Sequence, residues 1–390
     1  MLMNLNKMRR ILPETGFVLL SFTLLLAGAA WGAEATAKPG KASAAQREMK
    51  TDQSEWNKLV EAAKKEGRLV IYASTIGDAR PAISKAFTEK FGIPIEFVQG
   101  RGAELVQRIN NERGRGIYQV DVGFQGLTTY FNQMQALNLT VPLEPMFVLP
   151  EVKDPTKWRG GQVPFVDKKK TVVAFVATAA PYVVINTELV KENEITSNED
   201  LLAPKWKGKI VINDPSVAGN GAEWFSYIML AAYDRPRAEA FMKKLVAQEP
   251  AVLRDQRLLI EWVARGKYPI AIASDQGETT KMIHAGAPVK FLKVKEGMPL
   301  TSGPVNVMVF DRAPHPNAAK LFVNWTLSRE GMSVISPAAG YPAQRIDVAT
   351  EKFDPILVPG PRDVVPGEEY KLQQGPLLKL AAEMFKNLLQ

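Results

Sequence analysis

Residues 208–230 read GKIVINDPSVAGNGAEWFSYIML. Positions 209–212 predict a short buried strand, and Asp214-Pro215 a turn. A loop containing Ser216 and Gly219 then enters an apolar helix near Ala222. Asn220 and Glu223 have the N-cap and N3 spacing of a helix start. A strand, a loop of small residues and a helix N-terminus form a site for an anion or a polar ligand. The free N–H groups of the first turn point outward there, at positive dipole potential. The same stretch also suits an ordinary strand-to-helix connection in an α/β core. Recurrence of the pattern elsewhere in the chain favours the site.

Upstream the same order occurs three times. Leu69–Ala73 (LVIYA) reads as a strand, followed by the polar loop 74–78 and a helix that stops at Gly92. A strand at 93–98 leads to Gly100-Arg101-Gly102 and a helix carrying Leu105, Val106 and Ile109. A strand at 119–124 leads through Gln125-Gly126 into a helix over 127–137. Before them, Ser54 caps a helix that runs to Gly67. Three strands that each feed a polar or Gly-rich loop and a helix build a parallel sheet covered on both faces. Ligands bind beyond the carboxyl ends of such strands, so the loops at Ser74-Thr75, Arg101-Gly102 and Gln125-Gly126 cluster at one rim.

Five prolines between 140 and 165 then mark an irregular connection. The run TVVAFVATAAPYVVI at 171–185 is too long for one strand and is broken by Pro181. It reads as two strands in line that carry the chain from one lobe to another. A polar helix at 187–193 precedes the opening stretch. A second βα series follows, with helices at 241–246 and 256–264, a strand at 269–273, a loop at Ser274-Asp275, a helix at 276–285 and a strand at 289–294. The chain crosses back through 301–304 into a strand at 305–310. A helix from Pro316 ends by Gly331, PAAGYP at 337–342 is a loop, and an amphipathic helix at 377–389 closes the chain.

Composition narrows the chemistry. The 390 residues, 46% hydrophobic and 23% charged, suffice for two soluble domains. There is no cysteine and there are only two histidines, His284 and His315. Disulfides, thiolate nucleophiles and Cys-based metal sites are thereby excluded, and common nucleophile–base pairs nearly so. No G-x-S-x-G, P-loop or H-E-x-x-H occurs. Lys168–Lys170 and the cluster Lys205, Lys207 and Lys209 read as solvated faces. Without a helix-turn-helix or RNA-binding aromatic motif beside them, no nucleic-acid partner is expected.

The N-terminus carries Lys7, Arg9 and Arg10, then an apolar run over 17–30 and small residues. This predicts a signal peptide over 1–33, too short for a transmembrane span. Ala29 stands where LLAG would need an acylated Cys, so the mature chain is expected free of lipid and periplasmic. It keeps about +6 of the formal +8 charge. Residues 34–50 read as a mobile leader.

Several segments together resemble the extracellular solute-binding proteins of ABC importers, in the branch that binds ferric ion, sugar phosphates, aminoethylphosphonate and thiamine. They are LVIYAS at 69–74, GAELVQRI at 102–109, DVGF at 121–124, PYVVINTELV at 181–190, WKGKIVINDPS at 206–216 and GKYPIAIASDQ at 266–276. The most specific is APHPNAAKLFVNWTLSREG at 313–331. The resemblance covers roughly 55–345. It implies a two-lobed α/β periplasmic-binding-protein fold of type II, with the ligand cleft between the lobes and two or more hinge crossings. Lobe 1 would take 51–178 and 302–345, lobe 2 would take 179–301, and 346–390 would pack back on the lobes. It also implies no covalent chemistry and no cofactor. A monomer would close on its ligand by population shift and dock on an inner-membrane permease.

By position in the resemblance, lobe 1 offers Ser74, Thr75, Arg101, Gly102, Gln125 and Gly126. Lobe 2 offers Tyr182, Ser216, the N–H groups of Gly219, Asn220, Gly221 and Ala222, and Asp275. Tyr341 reaches the cleft from the return segment. Ser74, Thr75 and Asp275 could equally cap helices, Arg101 could be a surface charge, and Tyr182 could be hinge packing. Trp224, Phe225 and Tyr227 read as core. Ferric-ion members use tyrosine oxygens, including an adjacent pair, often with His and an acid; this chain has no Tyr-Tyr pair and no metal ligands are assigned. Arg101 between two glycines and several helix N-termini point to a small organic anion: a carboxylate, phosphonate or phosphate ester. A ferric-ion binder, a ligand-binding sensor for a membrane receptor and a carboxylate-based hydrolase stay as alternatives.

Overall fold

The computed structural model describes residues 44–74, 76–77, 79–303 and 305–389. The predicted signal peptide, most of the leader, Thr75, Asp78 and Pro304 lie outside the described residues. The chain divides into two compact units, residues 1–46 and 47–390, and the second holds both sheets. α1 (Ala44–Glu66) begins ten residues before Ser54, so part of the leader is helical.

The first half follows the expected repeat. β1 (Leu69–Ala73), α2 (Ala79–Phe91), β2 (Ile95–Gln99), α3 (Gly102–Arg113) and β3 (Val122–Gln125) alternate, and α4 (Leu127–Thr129) continues through a π turn and a 3-10 turn to Leu137. All five residues of β1 are buried. Leu69, Ile71 and Ala73 enter one core and Val70 and Tyr72 the other, the period-two pattern of a strand covered on both faces. After the short helix α5 (Pro150–Lys153), the run 171–185 resolves into β4 (Val172–Val173), β5 (Thr178–Ala179) and β6 (Val183–Asn186), three pieces where two were expected. The predicted helix at 187–193 is a turn and a single 3-10 turn over Glu192–Glu194.

β7 (Ile210–Asn213), α6 (Asn220–Tyr227), α7 (Arg235–Val246), β8 (Ala251–Leu253), α8 (Gln256–Ala264), β9 (Ile270–Ile272), α9 (Gln276–His284) and β10 (Val289–Leu292) complete the second series. α7 begins six residues before the predicted 241, at the cap Asp234, and β8 is a strand that periodicity missed. β11 (Leu300–Thr301) and β12 (Asn306–Val309) carry the chain back. One sheet has the order β2-β1-β3-β12-β4 and the other β10-β6-β9-β7-β8. Both are mixed: β12 runs antiparallel to β3, and β6 antiparallel to β9 and β10. Each sheet has its own core, and the β5–β11 ribbon lies where the chain passes between them.

The segment 313–331 is a packing element, as its sequence suggested. Phe322 and Trp325 of α10 (Pro316–Leu327) meet Phe87 of α2 with ring centroids 5.2 and 5.4 Å apart. His315 precedes α10, with Nδ1 2.9 Å from the buried Asp121 carboxylate. Contrary to expectation, a further helix, α11 (Arg329–Ala339), follows and takes in Pro337. Ser328 makes this possible by accepting from the Gly331 N–H at 3.1 Å, which caps a new helix where the old one ends.

The closing helix α12 (Glu368–Phe385) starts nine residues earlier than predicted. Its Tyr370, Leu377, Ala381 and Phe385 join the core of the second sheet. Its first residue is tied to the other sheet's side. The Glu368 carboxylate accepts from Gln135 Nε2 at 2.8 Å and from the Lys168 N–H at 3.1 Å, while the Glu368 N–H donates to the Val166 carbonyl at 2.9 Å. α12 thus bridges the two halves.

Candidate functional site

The loops after β1 and β3 meet as expected. Ser74 Oγ donates to Gln125 Oε1 at 2.8 Å, and Gln125 Nε2 donates to the Tyr72 carbonyl at 3.3 Å. Gln125 is 1% exposed. Its amide is therefore a buried strut that holds Ser74, and its side chain does not project into open space. Arg101 is the exposed N-cap of α3, in extended backbone, with its N–H donating to the Glu104 carboxylate at 3.2 Å. Among the described residues its guanidinium has no ion-pair partner. Gly102 is fixed by close approach: a Cβ there would lie 2.2 Å from Thr129 Oγ1. Gly126 is the N-cap of α4. The starts of α3 and α4 are therefore packed side by side.

The opening stretch builds the facing side. α6 begins at Asn220, so Gly219 is the N-cap and Asn220 the first helical residue, one position earlier than the spacing predicted. The reason is backbone geometry. Gly219 has φ 149°, which favours glycine. The cap is supplied from the strand: Asn213 Oδ1 accepts from the Gly221 N–H at 2.9 Å. That N–H, expected to be free for a ligand, is already used. Ser216 donates through both its N–H (2.9 Å) and its Oγ (2.6 Å) to Asp214 Oδ1, and Arg254 Nε donates to Oδ2 at 2.8 Å. Burial pushes the Asp214 carboxyl up, but the bonds from Ser216 and Arg254 outweigh it and hold the carboxyl below its ordinary value. Ala222 is buried, as are the core residues Trp224, Phe225 and Tyr227. Asp275 caps α9 through a 2.8 Å bond from the Glu278 N–H, the structural alternative weighed for it.

Gly221 leaves no room for a side chain. A Cβ there would stand 2.3 Å from the Asn213 carbonyl oxygen and 2.6 Å from that of Asp214, both backbone. Gly221→Ala is expected to force α6 off β7 and to cost about 2 kcal/mol or more. A thermal unfolding midpoint equal to that of the parent would show that the jaw is not packed this tightly.

A cavity of about 260 Å³ opens where these elements meet the crossing ribbon. Gly126 and Thr128 line it from one side, Tyr182 and Glu223 from the other, Thr301, Ser302 and Gly303 from the ribbon, and Tyr370 from α12. Tyr182 is 7% exposed, and its hydroxyl donates to Glu223 Oε2 at 3.3 Å. Burial, with the Glu223 charge adding to it, pushes this phenol well above its ordinary range. The Tyr370 hydroxyl donates to the Glu223 carbonyl. Ser302 is 2% exposed and its Oγ has no partner among the described residues, an unusual cost for a buried hydroxyl unless something else fills the cavity. Tyr341 reaches the ribbon: a Cβ on Gly303 would lie 2.2 Å from the Tyr341 hydroxyl.

Residues 82–355 match the family described as bacterial extracellular solute-binding protein. The chain belongs to that family. An uncharacterised protein of Haemophilus influenzae is 26% identical over 286 residues, 70% of this chain and 76% of that one. Among solved structures, the Trichodesmium protein FutA, in complex with iron and citrate, has a TM-score of 0.59 at 19% identity, covering 82% of this chain and 99% of that one. Agrobacterium tumefaciens AttC, in an open unliganded conformation, has a TM-score of 0.62 at 15% identity, covering 82% and 99%. These likenesses carry the two-lobed type II fold.

In this solute-binding protein the structure brings Ser74 and Gln125 together, and Gly126 and Tyr182 line one cavity. It sets Asp275 and the Ser216 hydroxyl to local bonds. Three cavity residues went unassigned as ligand contacts from sequence. Glu223 was noticed only for its N3 spacing. Ser302 sat in a recognised crossing without a role. Tyr370 gave no signal, since only the path of α12 brings it to the cleft. Among the described residues no helix is long and apolar enough to cross a membrane.

Proposed function

We propose that this member of a family that supplies the substrate-binding component of an ABC transporter, a transport family and not an enzyme family, works as a periplasmic monomer that captures a small organic anion bearing hydroxyl or amino groups. It would deliver the ligand to an inner-membrane permease. The observation that carries this reading is one cavity lined by Gly126 and Thr128 at the start of α4 and by Glu223 of α6, with the start of α3 packed beside it through Gly102 and Thr129; Arg101, the α3 cap, does not line the cavity in this conformation and would reach it as the lobes close. Helix N-termini favour negative charge, and a guanidinium without an acid partner supplies a bidentate clamp. Glu223 refines the ligand class. A carboxylate beside the cavity repels a bare anion but accepts from a donor group. The ligand's anionic end therefore belongs at the helix starts, and its hydroxyl or amino end faces Glu223, Tyr182 and Ser302. The lobe division, 51–178 with 302–345 against 179–301, is part of this proposal and is supported by the separate cores of the two sheets.

Arg101→Ala is expected to weaken binding about 10- to 100-fold, the loss of one charge-assisted contact. Because Arg101 is exposed, the unfolding midpoint should stay within the range of ordinary surface changes. Unchanged affinity in titration calorimetry removes Arg101 from the site.

A second reading rests on the oxygens of Glu223, Tyr182 and Tyr370 around one cavity, a hard-donor set suited to a hard cation; the Trichodesmium protein, which was solved with iron and citrate, supports weighing it. A thermal-shift screen separates the two. Hydroxycarboxylates, aminophosphonates and sugar phosphates without metal should raise the midpoint by several degrees at about 100 times the dissociation constant, where linkage adds about 2.7 kcal/mol. A shift only with ferric citrate favours the second reading.

A further inference from the structure

A second and larger cavity, about 550 Å³, lies on the other side of the crossing ribbon, and Leu300 of β11 lines both. Arg159 reaches it from the first lobe, where the adjoining Trp158 is core. Tyr233, Arg237, Lys295 and Glu296 reach it from the second, and Arg362 and Asp363 from the segment leading to α12.

The charges here do not balance, and the acids are already committed. Glu296 accepts from Ser197 Oγ at 2.6 Å and from the Asn198 N–H at 3.1 Å. Asp363 accepts from the Met298 N–H at 2.8 Å and the Gly360 N–H at 2.6 Å. Of the four cations, Arg237 pairs with Glu199 at 3.2 Å, and Arg362 donates to the Lys295 carbonyl at 3.1 Å. Arg159 and Lys295 have no carboxylate within ion-pair distance among the described residues. Arg159 is half-buried, and among the described residues its side chain makes one hydrogen bond, to the Ala343 carbonyl at 3.4 Å. Asp363 acts on the Arg159 guanidinium only from beyond ion-pair distance, and burial outweighs it, so the cation is left under-compensated and takes a further counter-charge. Among the described residues the buried Tyr233 hydroxyl also makes no hydrogen bond.

We infer that this cavity is a second anion site, which takes a multivalent oxyanion such as a phosphate group or a tricarboxylate between Arg159 of one lobe and Lys295 of the other. An oxyanion with several acceptors satisfies both cations at once. Because it is held by both lobes beside the ribbon, its occupancy biases the hinge and is linked to capture in the ligand cavity. The site goes beyond the ligand-capture reading and does not depend on it.

The test is titration calorimetry of the full mature protein in chloride buffer, with inorganic phosphate in one arm and tricarballylate, a tricarboxylate without the hydroxyl that the ligand cavity would recognise, in the other. The wild type is compared with Arg159→Gln, Lys295→Gln and Arg101→Ala. Saturable binding that Arg159→Gln and Lys295→Gln each weaken by about tenfold or more, and that Arg101→Ala leaves within about twofold, is expected. Binding that is absent up to about 10 mM, or that falls with Arg101→Ala and not with the other two, overturns the inference. If Arg159→Gln does not fold by circular dichroism, Lys295→Gln decides alone, since Lys295 is exposed. The Arg101→Ala arm keeps a failure of the cleft reading distinct from a failure of this one.

Discussion

Arg345→Ala is expected to lower stability by about 3–5 kcal/mol, the cost of breaking a buried ion pair by removing one partner. The Arg345 side chain is fully buried. Its guanidinium takes Asp347 at both oxygens, Nε to Oδ1 at 2.9 Å and Nη2 to Oδ2 at 2.7 Å. It also donates to the Glu151 carboxylate at 2.9 Å, the Glu151 carbonyl at 2.9 Å and the Leu327 carbonyl at 3.3 Å. One side chain therefore ties α5, the end of α10 and the return segment together. Truncation leaves Asp347 and two carbonyls without their donor. The acid dependence should change with it. Burial pushes the Asp347 carboxyl up, and Arg345 more than offsets this, so its folded value lies below the ordinary one. A depressed carboxyl contributes stability above its unfolded value near pH 4, lost as pH falls through the folded value. Chemical denaturation at pH 7 and at about pH 3 should show a smaller gap between parent and variant at the lower pH. Equal midpoints at pH 7 would show that the guanidinium is not holding these elements.

Ending the chain after Pro366 is expected to be about as damaging. α12 contributes Tyr370, Leu377, Ala381 and Phe385 to the second lobe's core, where Ala381 and Phe385 have no exposure. Burial of the three large side chains contributes about 4.5–9 kcal/mol, at about 1.5–3 kcal/mol each. The entropy of ordering the helix cancels part of this, and a net loss of about 2–4 kcal/mol is expected. The shortened chain also leaves an apolar strip on α6 without cover, which should bind hydrophobic dye and promote association. Loss of the Glu368 tie should let the lobes separate further, visible as a larger radius in small-angle scattering. A truncated protein with the parent's unfolding midpoint and no dye binding would make α12 dispensable.

α12 also marks where reading from sequence stopped. Its apolar positions were visible from Leu377 onward, but Pro376 sits inside the helix and hid the first turns. A proline costs an interior hydrogen bond and crowds the preceding turn. Here the burial of Tyr370 and the bonds of Glu368 outweigh that cost. The same holds for Pro337 in α11. The polar helix predicted at 187–193 does not form beyond a single 3-10 turn, because that segment has no apolar stripe to bury. The shift of the α6 cap from Asn220 to Gly219 has a more specific cause. Asn213, eight residues before Gly221, supplies the capping oxygen to the Gly221 N–H, and nothing in local spacing shows that contact.

The sequence by itself determined the alternation of short apolar strands with helices, the loops at their carboxyl ends and the family. Each of these rests on local periodicity, on glycine positions or on contiguous motifs, which survive without knowledge of distant neighbours. The tertiary structure alone decided which polar groups remain available. Gln125 and Ser216 looked like ligand contacts, but one is spent on Ser74 and Tyr72 and the other on Asp214. Glu223, Ser302, Tyr370 and Arg159 looked incidental, yet they face cavities. The partners of Gln125 lie 51 and 53 residues away in the chain and that of Ser216 only two, but each bond takes up a donor or acceptor that a ligand would otherwise use, and which groups are so taken is set by the folded geometry. That is why the opening stretch 208–230 announced a jaw, while its chemistry had to wait for the strand, the ribbon and the closing helix that surround it.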